Sequence, residues 1–125
     1  MADILIIDDD RQMRRLLTRI LTGAGHTARQ AVNGRDGIAL FAQQRADVVI
    51  TDMVMPDMEG IETILSLRRE NPTLPIIAIS GGTDPVYLRA AASLGATEVL
   101  RKPFSPQALL EALERVLDKA PETSG

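Results

Sequence analysis

A chain of 125 residues has room for one domain and not for a catalytic domain with a second one attached. The absence of cysteine removes disulfides, thiolate metal sites and cysteine nucleophiles, and two Phe, one Tyr and no Trp leave no aromatic platform for stacking bases. With 14 Lys plus Arg against 17 Asp plus Glu the net charge is −3, so nothing pulls the chain as a whole toward nucleic acid or anionic lipid.

Short apolar runs alternate with longer helical periods along the whole chain. Ile4-Leu5-Ile6-Ile7 is an unbroken branched run, the pattern of a strand covered on both faces. Met13, Leu16, Leu17, Ile20 and Leu21 then recur at helical spacing, and Gly23 and Gly25 end that helix. His26 to Val32 is a poor strand by composition and belongs at a sheet edge, with His26 at the surface. Asn33 is the N-cap of a helix that turns Ile38 and Phe41 inward. Val48 to Thr51 is a second buried strand, followed by a turn-rich loop and a helix carrying Ile61, Ile64 and Leu65.

Ile76 to Ile79 forms the fourth strand, and Asp84-Pro85 reads as a cap and first helical position. Gly95 closes that helix and Glu98 to Arg101 is the fifth strand. Ser105-Pro106 repeats the start signal before a last helix with Leu109, Leu110, Leu113, Val116 and Leu117 on its apolar face. The expectation is a single α/β domain over residues 3–118, a parallel sheet wound on both faces, with 119–125 as a frayed tail or the start of a linker. Met1-Ala2-Asp3 leads straight into a strand with no signal peptide in view, and no apolar run nears the roughly 20 residues of a membrane helix. A cytoplasmic location without membrane or direct nucleic-acid contact is therefore expected.

Ligands of open α/β sheets bind beyond the carboxyl ends of the strands. Those ends deliver Asp8, Asp9 and Asp10, then Asp52, then Ser80 with Gly81 and Gly82, then Lys102-Pro103. If the first and third strands are neighbours, several carboxylates share one crevice with a hydroxyl and an ammonium beside them. Crowded carboxylates raise one another's pKa unless a cation lies between them, and an all-oxygen donor set suits a hard ion such as Mg²⁺. The lysine and hydroxyl read as clamps for phosphoryl oxygens, leaving one carboxylate to act as nucleophile. Taken singly each residue has a plainer reading: Asp10 as the cap of the first helix, Asp52 as a strand-end turn residue, Lys102 as a solvated loop lysine. Taken together, the plain readings require four coincidences at four strand ends.

Ile4 to Asp9, Thr51-Asp52-Met53-Val54-Met55-Pro56 with Gly60, Ile79-Ser80-Gly81 and Arg101-Lys102-Pro103-Phe104 resemble, in order and spacing, the receiver domain of two-component response regulators, a resemblance covering residues 3 to about 118. It implies a doubly wound (βα)5 domain, flavodoxin-like, with strand order 2-1-3-4-5. It also implies that Asp52 accepts a phosphoryl group from a histidine kinase or a histidine phosphotransfer protein. Asp9, Asp52 and the main-chain carbonyl of Val54 would hold Mg²⁺, with Asp8 acting through a water. Ser80, Gly81 and Lys102 would contact the phosphoryl group, and the bond before Pro103 would be cis. The resemblance further implies partner or homodimer contacts through Asp84 to Leu117, in a signalling domain that is not an enzyme turning over small substrates.

Two departures bear on output and lifetime. Val99 stands where the family often has an aromatic residue that rotates on activation, and an aromatic rotamer switch cannot work there. Val54 and Gly82, each two residues past a site residue, offer nothing to orient an attacking water, so slow self-hydrolysis of the phosphoryl group is expected. Three other readings compete. A haloacid-dehalogenase-type phosphatase would use Asp8 as its nucleophile, but Gln12 stands where that motif needs Thr. A flavodoxin-like electron carrier would have to seat a phosphate against three aspartates. A degenerate receiver used only for binding would not keep every site position filled. The chain is either a stand-alone regulator or phosphorelay shuttle, or the amino-terminal receiver of a longer protein. Met53, Met55 and Met58 form a flexible contact surface or pack beneath their loop, and Arg14, Arg15 and Arg19 lie on the polar side of the first helix, where solvation is the reading preferred over contact with a kinase.

Overall fold

Strand β1 (Asp3–Ile7) carries four consecutive apolar residues and all four are fully buried. Successive side chains of a strand point to opposite faces, so such a run requires cover on both. The structure, a computed structural model describing residues 1–53, 60–81 and 85–119, provides it. Around β1 are β2 (Thr27–Ala31), β3 (Val48–Asp52), β4 (Ile76–Ser80) and β5 (Glu98–Arg101), all parallel and in the order β2-β1-β3-β4-β5. Helices α1 (Arg11–Gly23), α2 (Gly34–Gln43), α3 (Gly60–Glu70), α4 (Pro85–Leu94) and α5 (Pro106–Lys119) connect and follow them. This is the flavodoxin-like (βα)5 arrangement in the order 2-1-3-4-5.

The alternation along the strands sorts the interior into two cores. Ile4 and Ile6, Val48 and Ile50, and Ile77 and Ile79 meet Leu17 and Leu21 of α1 and Leu109, Leu113 and Val116 of α5. Leu5 and Ile7, Val49, Ile76 and Ala78 face the other way, onto Phe41 of α2 and Ile64 and Leu67 of α3. Each fully buried Leu or Ile contributes roughly 1.5–3 kcal/mol of transfer free energy, which makes the central strands the stable frame on which the loops are hung. β2, with its TARQA sequence and only one buried residue, lies at the sheet edge where polar side chains reach water.

Local chemistry fixes the helix ends. The Asp10 carboxylate accepts from the backbone N–H of Gln12 and Met13, and Asn33 Oδ1 accepts from Asp36 N–H at 2.7 Å. Ser105 Oγ accepts from Ala108 N–H at 3.0 Å ahead of Pro106. Gly25 and Gly95, with φ of 95° and 119°, occupy the left-handed backbone after α1 and α4. Gly23, by contrast, is the last residue of α1, and Ala24 is its cap. Asp84 and residues 120–125 lie outside the described residues, and α5 runs through Lys119.

Three further expectations need correction. Leu16 and Leu65 remain 45% and 38% exposed, because at 100° per residue each falls beside the buried stripe and not on it. On α3 the buried positions are Thr63, Ile64 and Leu67. His26 precedes β2 and is half-buried, its Nδ1 accepting from Ala2 N–H at 3.0 Å.

Arg68 ties the far side of the sheet together. Its guanidinium donates to the carbonyls of Gly95, Asn71 and Pro72, so one side chain of α3 holds both the turn before β4 and the turn before β5. Burial pushes its pKa down, and the carbonyl oxygens it donates to stand in for part of the water it has lost. Arg68→Ala leaves these carbonyls without their donor and is expected to lower stability by about 1–3 kcal/mol in urea unfolding, with Arg68→Lys recovering part of the loss.

Candidate functional site

Strand register decides what meets at the carboxyl edge. Ile7 pairs with Thr51 and Asp52 with Ile79, so Asp8, the residue after β1, stands level with Asp52. Backbone bonds beyond the strands hold these ends together. Asp8 N–H donates to Ala31 O at 3.1 Å, Met53 N–H to Ile79 O at 2.9 Å and Lys102 N–H to Ser80 O at 2.8 Å. One carboxylate oxygen each from Asp8, Asp9 and Asp52 lies within 4.8 Å of the others, and Lys102 Nζ is 3.9 Å from Asp52 Oδ2. Four residues from three strand ends therefore converge as the sequence predicts.

The cluster is graded from inside to outside. Asp8 is 1% exposed and Asp52 8%, while Asp9 faces solvent. Asp8 Oδ1 accepts from Asp10 N–H at 2.8 Å, which closes the turn into α1, but Asp8 Oδ2 is buried with no hydrogen-bond partner among the described residues. Burial, with the charges of Asp52 and Asp9 adding to it, pushes the Asp8 carboxyl up to about 6 against the pull of the Asp10 N–H and Lys102. An orphaned carboxylate oxygen beside two further carboxylates is a donor set that fits a hard divalent cation.

Ser80 is buried at the end of β4, in register with Arg101. The Lys102 stem runs along Gly81, where a Cβ would lie 3.3 Å from Lys102 Cδ, so the glycine keeps the lysine's path clear. The Lys102-Pro103 peptide is cis. Val99 is half-buried and packs against the core beneath α3 and α4. Val54, Met55, Met58 and Gly82 lie outside the described residues. Met53 is buried in the core with Ile64 and Leu67 and is not on a contact surface.

Two residues matter in ways their sequence positions hide. Arg14 is not simply solvated, since its Nη1 donates to Asp8 O at 2.8 Å and braces the first acidic residue from α1. Helical spacing from the Asp10 cap puts Arg14 on the first turn, the one available signal for this contact. Gly60 donates to Met53 O at 2.9 Å, and a Cβ there would overlap the Asp52 carbonyl oxygen and Met53 Cα. Only glycine lets the start of α3 approach the backbone that carries Asp52.

A parallel doubly wound sheet with a lysine and a carboxylate cluster at its carboxyl edge defines a class of α/β domain whose polar site lies beyond the strand ends. Known proteins narrow the class. The family model for the response regulator receiver domain matches residues 4–114. The chemotaxis protein CheY of Thermotoga maritima is 35% identical over 114 residues, covering 90% of this chain and 95% of that protein. The DNA-binding transcriptional regulator NtrC of Azospirillum brasilense is 38% identical over 117 residues. A crystallised chemotaxis protein CheY4 of Vibrio cholerae superposes with a TM-score of 0.87 at 35% identity, covering 93% of this chain and 98% of that one.

The chain belongs to the response regulator receiver family. It spans nearly all of the CheY relative but only 24% of the NtrC relative. Nothing in these matches favours a dehalogenase-type phosphatase. No helix among the described residues is long and apolar enough to cross a membrane.

Two predictions come from this geometry. The folded Asp8 holds its proton more tightly than its unfolded counterpart, whose pKa is 3.8. Its contribution to stability is thus complete below about pH 4 and lost as the pH rises through about 6, a swing of order 3 kcal/mol. In chelator, wild-type stability is expected to fall between pH 4 and 7 relative to Asp8→Asn, which keeps the acceptor for Asp10 N–H. Parallel pH profiles of the two would contradict the strain at Asp8. Gly60→Ala should cost about 1–3 kcal/mol in urea unfolding and slow phosphorylation of the purified chain by acetyl phosphate.

Proposed function

We propose that Asp52 is the phosphoacceptor, and that this chain takes its phosphoryl group from a histidine kinase or histidine phosphotransfer protein in a Mg²⁺-dependent step. The observation that carries the reading is the convergence of Asp8, Asp9, Asp52 and Lys102 at one sheet edge. Asp9 and Asp52, with the main-chain carbonyl of Val54, would hold the cation, and Asp8 would act on it through a water. When bound, the cation neutralises the carboxylates and the oxygens of the incoming phosphoryl group.

An Asp52 carboxylate oxygen attacks phosphorus as the phosphorus–nitrogen bond of the donor phosphohistidine breaks, and the imidazole leaves with that electron pair. Lys102 moves from its ion pair with Asp52 to a phosphoryl oxygen, and Ser80 donates a hydrogen bond to another. Gly81 lets the lysine reach that position. The aspartyl phosphate then alters the β4 and β5 ends, where Ser80 and Lys102 are joined by a backbone bond. With Val99 in place of an aromatic switch, output runs through the surface from Asp84 to Leu117, toward a protein target or a second copy.

The domain occupies residues 3–118 and acts in the cytoplasm, as a signalling unit and not as an enzyme turning over small substrates. It serves as a stand-alone regulator or phosphorelay shuttle, or as the receiver of a longer protein. Val54 and Gly82 orient no water, which makes the phosphoryl group long-lived.

The purified chain incubated with Mg²⁺ and acetyl phosphate is expected to gain the mass of one phosphoryl group. Borohydride reduction and peptide mapping should place homoserine at position 52, with no gain in Asp52→Asn or in chelator. Reduction product at Asp8 or Asp9 would overturn the assignment. A phosphoprotein half-life of seconds would contradict the slow-hydrolysis reading.

A further inference from the structure

Asp9 is the carboxylate of the acidic edge that faces solvent, and its side chain makes no hydrogen bond or ion pair among the described residues. Its place is set by the backbone on either side. Before it, Asp8 is tied at three points. Its N–H donates to Ala31 O at 3.1 Å, its Oδ1 accepts from Asp10 N–H at 2.8 Å, and its carbonyl accepts from Arg14 Nη1 at 2.8 Å. After it, Asp10 Oδ1 accepts from Gln12 N–H at 2.8 Å and Asp10 O from Arg14 N–H at 3.0 Å. Arg14 therefore brackets Asp9, its main chain on one side and its guanidinium on the other.

The carbonyl that the guanidinium holds belongs to the planar peptide unit joining Asp8 to Asp9. A donor kept on that oxygen fixes the orientation of the unit from which Asp9 is hung. Arg14 also carries a positive charge, and charge alone acts the other way, because a cation site near an arginine binds its ion less tightly. Removing Arg14 therefore has opposite signs under the two effects. Its guanidinium forms no ion pair among the described residues, and the charges acting on the buried Asp8 carboxyl are those of Asp52, Lys102 and Asp9. The hydrogen bond is thus the larger of the two.

We infer that Arg14 is a positioning residue for the cation. By pinning the Asp8–Asp9 peptide it keeps the exposed Asp9 carboxylate with those of Asp8 and Asp52, one oxygen of each within 4.8 Å of the others. The inference rests on the reading of this edge as a Mg²⁺ site. Groups that orient a metal's ligands typically set its affinity by roughly tenfold or more. Arginine suits the task because its planar fork loses little freedom in holding a carbonyl, whereas lysine offers a rotating point donor.

The test is calorimetric titration of Mg²⁺ into the purified metal-free chain, with no phosphoryl donor present. Arg14→Met keeps the apolar stem and removes both donor and charge, and its Mg²⁺ dissociation constant is expected to rise roughly tenfold. Arg14→Lys should fall between it and wild type, about threefold weaker than wild type. Arg15→Gln removes one exposed charge from the same helix and should stay within about twofold of wild type, since such charge is screened. The Mg²⁺ concentration for half-maximal labelling by acetyl phosphate should rise in step with the dissociation constant of each variant.

Unchanged Mg²⁺ affinity in Arg14→Met would overturn the inference, and tighter binding would assign Arg14 to charge instead and overturn it too. A lower metal-free melting midpoint with the dissociation constant unmoved is the mark of a merely structural residue and counts against it equally. Should Arg14→Met fail to fold, Arg14→Lys decides, and wild-type affinity in that variant overturns the inference. Wild-type protein that binds Mg²⁺ and is labelled leaves the Asp52 reading standing whatever the variants do. Wild-type protein that neither binds Mg²⁺ nor is labelled removes that reading itself, and this inference with it.

Discussion

The constraint on which this molecule turns is a carboxylate held where it is least comfortable. Asp8 is closed off from water, one of its oxygens has no partner among the described residues, and two other carboxylates lie within a few ångströms. Desolvation is the larger penalty and like-charge repulsion adds to it. A fold selected for stability alone would not place an aspartate there. The strain becomes intelligible once a cation and an anionic group are the intended occupants, because each neutralises part of what the empty site must bear.

The rest of the architecture maintains that arrangement. Two apolar cores press on a five-stranded sheet in which β3, β4 and all of β1 but Asp3 are buried, so the strand ends cannot drift apart to relieve the charges. Register brings Asp8 and Asp52 level, the Asp10 N–H and the Arg14 guanidinium grip Asp8 from the α1 side, and Gly60 lets α3 close against the Asp52 backbone. On the other flank Lys102 is threaded past Gly81 toward Asp52. The charge that could neutralise one carboxylate is thus built in, and it remains 3.9 Å away, near enough to attract and free to shift.

Much of this was legible in the sequence because parallel buried strands write themselves as unbroken apolar runs, and because helix starts carry Asp10, Asn33 and Ser105 at capping positions. Strand ends could then be read as a row of site residues. What could not be read depends on distance in the chain. Arg68 meets Gly95, 27 residues away, and Gly60 meets the backbone of Asp52; neither spacing has a periodicity to betray it. Leu16 and Leu65 misled because each sits next to core leucines or isoleucines in an apolar run wider than the buried stripe. His26 looked like an unattached surface residue, but its ring nitrogen is tied to Ala2, and no local pattern announces a contact across 24 residues. The grading from buried Asp8 to exposed Asp9 was equally invisible, since adjacent aspartates look alike until the fold turns one inward.

The central claim is that the acidic edge is strained when empty and relaxed by a divalent cation. Thermal unfolding of the metal-free chain at pH 7, titrated with Mg²⁺, tests it most directly. The account predicts a midpoint that climbs by several degrees as the site fills, a kilocalorie of binding-linked stability being worth about 4 °C in a domain of this size. It also predicts a smaller climb from a higher starting point in Asp8→Asn. A midpoint indifferent to Mg²⁺, or a metal-free Asp8→Asn chain no more stable than wild type, would contradict it.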